Sequence, residues 1–245
     1  MRQQQGFDAI VEREQGLHRG LSTGQLSMIA IGGAIGTGLF LGSGFAIGFA
    51  GPSVLVSYAI GALIALLLMG CLAEMTVAHP TSGSFGANAE HYIGPLAGFL
   101  VRYAYWSSIV FAVGTEVTAI AVYMKYWFPA VPGWYWIVGF SAALTGINAT
   151  SVKVFGAVEY VFSMLKIAAI VGFILLGAYV VTRAPDGSGI GLANYTAHGG
   201  FFPKGMWGMW VAVIVSIFSY LSIEMIAVAA GEARDPETAI TRAFR

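Results

Sequence analysis

The chain has 245 residues, twelve basic and twelve acidic side chains for zero net charge, and is 57% hydrophobic but only 10% charged, with a mean hydropathy of +0.76. Zero net charge leaves no electrostatic footprint for nucleic acid, and apolar blocks of this length exclude an ordinary water-soluble domain. The expected class is an all-α polytopic membrane protein.

Residues 1–23 are polar, with Asp8, Glu12, Arg13, Glu14 and Arg19, which is not the n-region of a cleavable signal peptide, so they are read as a cytosolic tail. Six spans follow, near 25–50, 53–78, 96–124, 134–151, 157–182 and 207–230, each about 20 residues or more and so able to cross about 30 Å of hydrocarbon. Residues 231–245 are read as a cytosolic segment. With the N-terminus inside, Arg2, Arg13, Arg19, Arg102, Lys153, Arg234, Arg242 and Arg245 fall at cytosolic ends and only Lys125, Arg183 and Lys204 outside, an asymmetry that sets this orientation. Arg102 is expected to snorkel to the inner interface. The lone Cys71 cannot form an internal disulfide and is expected to pack; the four histidines have no metal-ligand spacing, and no cofactor is implied. Asn194-Tyr195-Thr196 fits a glycosylation triplet that carries little information by itself. The tryptophans 127, 134, 136, 207 and 210 lie near span ends, as an interfacial belt requires.

The first span holds AIGGAIGTGLFLGSG, residues 30–44, with six glycines at 32, 33, 36, 38, 42 and 44. Each glycine inside a helix costs about 1 kcal/mol relative to alanine, so the cluster needs a reason. A phosphate-binding loop lacks the following Lys-Ser/Thr and the strand-to-helix setting. Close helix packing through Gly32-x-x-x-Gly36 and Gly38-x-x-x-Gly42 explains scattered glycines. A broken helix explains the tight cluster at mid-span, provided that protein, water or ligand satisfies the freed backbone groups. A half-helix starting near Thr37 then offers amides and a positive dipole end to a carboxylate, while the half-helix ending near Gly33 offers carbonyls to a cation, together matching a zwitterion such as an α-amino acid. Packing and substrate binding both stand as readings, the cluster favouring the second.

Ionisable residues within spans are seldom incidental, a lysine at a span centre costing roughly 2.5 to 3.5 kcal/mol on insertion scales. Lys166 is one; Glu159 lies seven residues earlier on the same helical face, two turns away and too far for a direct pair. Glu116 falls on a face with Ser108 and Ala112 that suits a pathway lining, or equally marks the outer end of its span. Glu224 lies one turn beyond Leu221. Glu74, Glu90, Glu232 and Asp235 fall near loops as caps or gate contacts, with Asp235-Pro236 ending the sixth span.

The stretches LHRGLSTGQLSMIAIGGAIGTGLFLGSG, LAEMTVAHPTSGSF, GPLAGF, the Tyr105-Trp106 pair, AVEYVFSMLK and IEMIAVAAGEARDP, in that order, resemble the bacterial amino acid permeases of the amino acid-polyamine-organocation superfamily. The resemblance implies a leucine-transporter-type fold of two inverted five-helix repeats with the first and sixth helices discontinuous. Family members have about twelve spans, so the chain is expected to hold the first repeat plus the sixth helix and to work with a C-terminal half. The implied activity is secondary active transport of an amino acid across the bacterial inner membrane by alternating access, coupled to protons rather than sodium. The implied site places the amides of Thr37 and Gly38 on the substrate carboxylate, with Gly36 shaping the turn. The carbonyls of Ala34, Phe218 and Leu221 face the ammonium, Ser219 lies beside them, and the Phe218 ring acts as a lid. Lys166 corresponds to a lysine tied to proton coupling, Glu159 to the cytosolic entry and Glu224 to the inner gate. A lysine pinning the fifth span to first-span carbonyls is the competing account of Lys166. Ser222 departs from the glycine many relatives carry there.

Other classes fare worse. No His-Glu-x-x-His or glycine-flanked serine elbow supports an intramembrane hydrolase, and a channel wants a continuous polar line where the polar groups here converge at mid-depth. An exchanger, or a transport-inactive sensor or assembly partner, remains the alternative.

Overall fold

A computed structural model describes residues 7, 10, 28, 32–33, 35–79, 81, 84–150, 152–185 and 188–224; the side chains of residues 77, 152 and 153 are set apart from these. Among the described residues the ordered elements are helical: α1 (Thr37–Phe40), α2 (Gly42–Ala50), a 3-10 turn (Gly51–Ser53), α3 (Val54–Ala78), α4 (Ser84–Tyr92), α5 (Pro95–Trp127), α6 (Gly133–Asn148), α7 (Val152–Arg183), α8 (Asn194–Ala197) and α9 (Gly205–Phe218). By length and composition three helical stretches, 37–76, 95–127 and 154–183, can cross a membrane, and Gly205–Phe218 is a shorter apolar helix.

The distribution of side chains is that of a protein solvated by lipid. Leu66, Phe111 and Phe173 are 70%, 76% and 77% exposed, whereas the largest fully buried side chains are Met209 and four serines, Ser53, Ser57, Ser163 and Ser216. In water that arrangement forfeits the hydrophobic driving force; in hydrocarbon, apolar surface costs nothing to expose and small or hydrogen-bonding residues move to the helix contacts. Cys71 is exposed, which corrects its expected packing role.

Contacts group the chain into two compact units, one of residues 31–68 and 160–223, the other of 1–30, 69–159 and 224–245. In the first, α2 packs on α9 through Ala46, Ala50 and Ala212, with Val54, Tyr58 and Val215 around them. The backbones come so near that a side chain on Gly208 would strike the Phe49 carbonyl. Polar braces tie α3 to α9: Ser57 Oγ donates to the Met209 carbonyl at 2.8 Å and Ser216 Oγ to the Ser57 carbonyl at 3.0 Å. Ser216→Ala is expected to cost about 1 kcal/mol of stability, the usual size of an interhelical hydrogen bond, read as earlier thermal unfolding in detergent. An unchanged transition would show that this brace carries no stability.

In the second unit α4 packs on α5. Gly94, at φ +142, turns the chain, and Pro95 opens α5 at a position where its missing N–H is no loss. Arg102 makes an ion pair. Its guanidinium pairs with Glu90 at 2.7 Å, its stem lies where a side chain on Gly86 would need space, and Glu90 itself fills the space beside Gly98. Glu90 is therefore an ion-pair partner rather than a cap. The ring of Phe7 lies tilted against His79 and meets His91 edge-on, at centroid distances of 4.3 and 5.2 Å, and His79 shares a 2.6 Å hydrogen bond with Tyr92. Composition marked residues 1–23 only as polar; Phe7 and Ile10 are in fact buried.

Candidate substrate site at two helix breaks

The glycine cluster of the first span bends. Gly32 and Gly33 are helical, Ile35 and Gly36 form a bend, and helix resumes at Thr37. Gly36 is extended (φ −125, ψ −162), and its carbonyl starts the new ladder by accepting from the amides of Leu39 at 3.1 Å and Phe40 at 3.2 Å. Thr37 and Gly38 thus occupy the first turn, where amides have no carbonyl four residues back within the helix. Leu41 keeps αR geometry and carries the helix into α2. Thr37 and Gly38 are both buried.

The second element of the site is the end of α9 at Phe218. There α9 ends and the next amides switch to shorter i→i−3 bonds: Ser219 to the Ser216 carbonyl at 2.9 Å, Tyr220 to Ile217 at 2.9 Å and Leu221 to Phe218 at 3.4 Å. Ser222 then takes φ +72, one of two non-glycine residues with positive φ among those described. This left-handed geometry costs an L-residue roughly 1–2 kcal/mol, and glycine, which avoids it, gives back about 0.5–1 kcal/mol in chain entropy. Ser222→Gly is accordingly expected to stabilise the fold by up to about 1 kcal/mol, seen as a later thermal unfolding transition. A lower transition would mean that the serine side chain contributes more than its backbone strain costs.

The residues beside the first-span bend and the end of α9 touch. A Cβ built on Gly38 would lie 2.5 Å from the Phe218 carbonyl oxygen and 2.8 Å from Ser219 Cα, so only glycine lets these backbones meet. Five residues earlier, Gly33 lies against Ser222, whose carbonyl oxygen and Cβ would be 3.3 and 3.4 Å from an added Cβ. Lys166, on α7, donates from Nζ to the Gly32 carbonyl at 2.9 Å, and Ser163, one turn before it, is fully buried. Tyr58 on α3 shares a 3.2 Å hydrogen bond with Ser219, and Tyr220 Oη donates back to the Tyr58 carbonyl at 3.2 Å.

Of the residues singled out from the sequence, Gly36, Thr37, Gly38, Phe218, Ser219, Leu221 and Lys166 therefore belong to one unit, with Gly38 directly on Phe218 and Ser219. Phe218 and Leu221 are half-exposed. Ala34 lies outside the described residues, as do Glu232 and Asp235. Glu116, Glu159 and Glu224 belong to the other unit. Glu116 is exposed on α5, Glu159 is half-buried on α7, and Glu224 accepts a hydrogen bond from the Tyr105 hydroxyl. Tyr58 and Tyr105 were not visible as partners in the sequence, where each is one tyrosine in an apolar run; Tyr105 could have been flagged only by its place in the Tyr-Trp pair.

The glycines divide their labour. Gly33 and Gly38 face the end of α9, Gly42 makes an ordinary 3.7 Å contact with Val215, and Gly44 has open space around it. The packing reading thus holds for some of the glycines, and the close approach occurs beside the bend.

The sequence profile of the amino acid permeases matches residues 25–245. The chain belongs to the amino acid permease family. This chain is 41% identical to an uncharacterized amino acid permease of Bacillus subtilis, YtnA, over 95% of its own length and 51% of the relative's. It is 40% identical to the γ-aminobutyric acid permease of the same organism, over 96% of this chain and 50% of that one, and 39% identical to the aromatic amino acid transport protein AroP of Escherichia coli, over 93% and 50%. The chain spans about half the length of these curated relatives. Family and apolar helices together make it a membrane protein, and the family is one of transporters rather than enzymes.

Proposed function

We propose that this chain carries the substrate-binding portion of a secondary active amino acid transporter of the bacterial inner membrane. The observation that supports the reading most is the direct contact of the first-span turn with the end of α9, Gly38 on Phe218 and Ser219, with Lys166 bonded to the Gly32 carbonyl just before the bend. The substrate carboxylate is held at the first-turn amides of Thr37 and Gly38, where the helix dipole favours negative charge. Its ammonium is held by carbonyls of Ala34, Phe218 and Leu221. A zwitterion satisfies both ends at once, and that feature is common to aromatic amino acids and γ-aminobutyrate, the compounds named for two of the relatives. The leucine-transporter arrangement, with helices one and six discontinuous inside inverted repeats and a second half completing the transporter, supplies the alternating access. In this reading the N-terminus is cytosolic.

Lys166 links the site to protons. Protonated, its ammonium makes a charge-assisted bond to the Gly32 carbonyl; deprotonated, it offers a weaker donor, and the bend is freer to move. One charge crossing about 100 mV releases about 2.3 kcal/mol, equivalent to roughly 50-fold accumulation of a neutral amino acid. Glu159 then lines the cytosolic entry, Glu224 the inner gate and Glu116 a pathway face. The test is uptake of labelled phenylalanine, alanine and γ-aminobutyrate by the full-length protein in liposomes, with an imposed proton or sodium gradient. Uptake driven by the proton gradient supports symport. Counterflow without any gradient dependence makes it an exchanger, no uptake of any zwitterion overturns the transporter reading, and a sodium requirement overturns the coupling assigned to Lys166.

A further inference from the structure

The end of the α5–α6 hairpin carries two adjoining depressions of opposite character that share Val131. One, about 300 Å³, is lined by Lys125 with Pro129 and Pro132; the other, about 740 Å³, is a groove with almost wholly apolar walls, among them Phe128, Trp136 and Phe140. The larger falls within the roughly 300–1,000 Å³ usual for ligand pockets. Lys125 is exposed, and neither depression is lined by an acidic residue. The exposed aromatics Tyr126, Trp127, Trp134 and Tyr135 surround this end, the composition expected where a span meets the headgroup layer. The groove follows Trp136, Gly139, Phe140 and Ala143 along α6, away from the lysine and toward the middle of the span.

We propose that this hairpin binds one anionic phospholipid, its phosphate at Lys125 and an acyl chain in the groove between Phe128 and Phe140. A cationic depression opening beside an apolar one matches an amphiphile with a negative head, and charge complementarity selects it over a zwitterionic or neutral lipid. A polypeptide segment fits less well, because walls with so few polar groups leave an extended backbone without partners. Neither the amide bend at Gly36 nor Lys166 takes part, so the proposal is independent of the transport reading.

The full-length protein in detergent, titrated with phosphatidylglycerol or phosphatidylcholine of identical chains and followed by native mass spectrometry, tests this. Phosphatidylglycerol is expected to bind about fivefold more tightly, the effect of one lysine at a membrane surface. Lys125→Gln is expected to bring the two lipids to equal affinity. A Cβ on Gly139 meets nothing within 4 Å, so Gly139→Leu fills the groove without disturbing its walls and is expected to lower binding of both lipids; Ala143→Leu, at an exposed position lining the groove one turn on, is expected to lower it as well. Equal affinities in the parent, or an unchanged preference in Lys125→Gln, overturn the proposal. So does a groove covered by protein, which would appear as lipid binding insensitive to both leucine variants, or as a dimer that they dissociate.

Discussion

Gly38→Ala is expected to abolish uptake and to destabilise the protein more than any other single methyl group added to the glycine cluster. The added carbon would sit 2.5 Å from the Phe218 carbonyl oxygen and 2.7 Å from its carbon. Both are backbone atoms, so no side chain can rotate away; the end of α9 must move as a body. Overpacking of this kind costs typically 1–3 kcal/mol, and the displacement separates the groups proposed to hold carboxylate and ammonium. Two controls bracket the effect. Gly42→Ala meets only Val215 Cγ1 at 3.7 Å and the Thr37 carbonyl at 3.8 Å and is expected to behave almost as the parent. Gly44→Ala meets nothing and is expected to stabilise by up to about 1 kcal/mol through helix propensity alone. Thermal unfolding in detergent and initial uptake rates read all three. If Gly38→Ala tracks Gly42→Ala, the close approach of the two breaks does not exist in the membrane.

Removing the Lys166 amine has the second large effect, and three substitutions separate its two roles. Lys166→Met deletes the charge-assisted donor to Gly32, whose carbonyl keeps only the 3.2 Å bond from the Ile35 amide, at a cost of about 1.5–3 kcal/mol, the range for hydrogen bonds to charged groups. It is expected to lower uptake at least tenfold, a difference equivalent to about 1.4 kcal/mol, and to leave the residual rate flat with pH. Lys166→Ala is expected to do the same and to lose packing as well. Lys166→Arg keeps a donor and a charge that cannot be released at accessible pH, so it is expected to recover much of the stability but not the pH response. The decisive comparison is uptake against external pH in liposomes. A pH response surviving in both the methionine and arginine variants leaves Lys166 as a structural pin only; stability unchanged in the methionine variant removes even that.

Membrane class was readable from the chain because it depends on nothing but the length of apolar runs and the scarcity of charge between them. The place of the bend was readable too, since glycines concentrated over Gly32 to Gly38 weaken a helix wherever it is put. Arg102 shows what such reading leaves out. Its apolar neighbours suggested a side chain reaching for the interface, but Glu90, twelve residues away across a turn, supplies a partner that hydropathy cannot reveal. Ser222 is the converse case: its departure from glycine was visible in the sequence, while the φ of +72 that gives the departure an energetic cost was not.

By itself, then, the order of residues determined a lipid-solvated helical protein with a weak point at the middle of its first span. These properties are local, set by composition over one or two turns of helix. Only the tertiary structure decided what meets that weak point: Phe218 and Ser219 against Gly38, Ser222 against Gly33, and the Lys166 ammonium on a carbonyl 134 residues earlier. Those pairings hang on which backbones approach to within a hydrogen-bond length. That approach is fixed jointly by small residues on α2, α3 and α9, and no periodicity within a single helix encodes it.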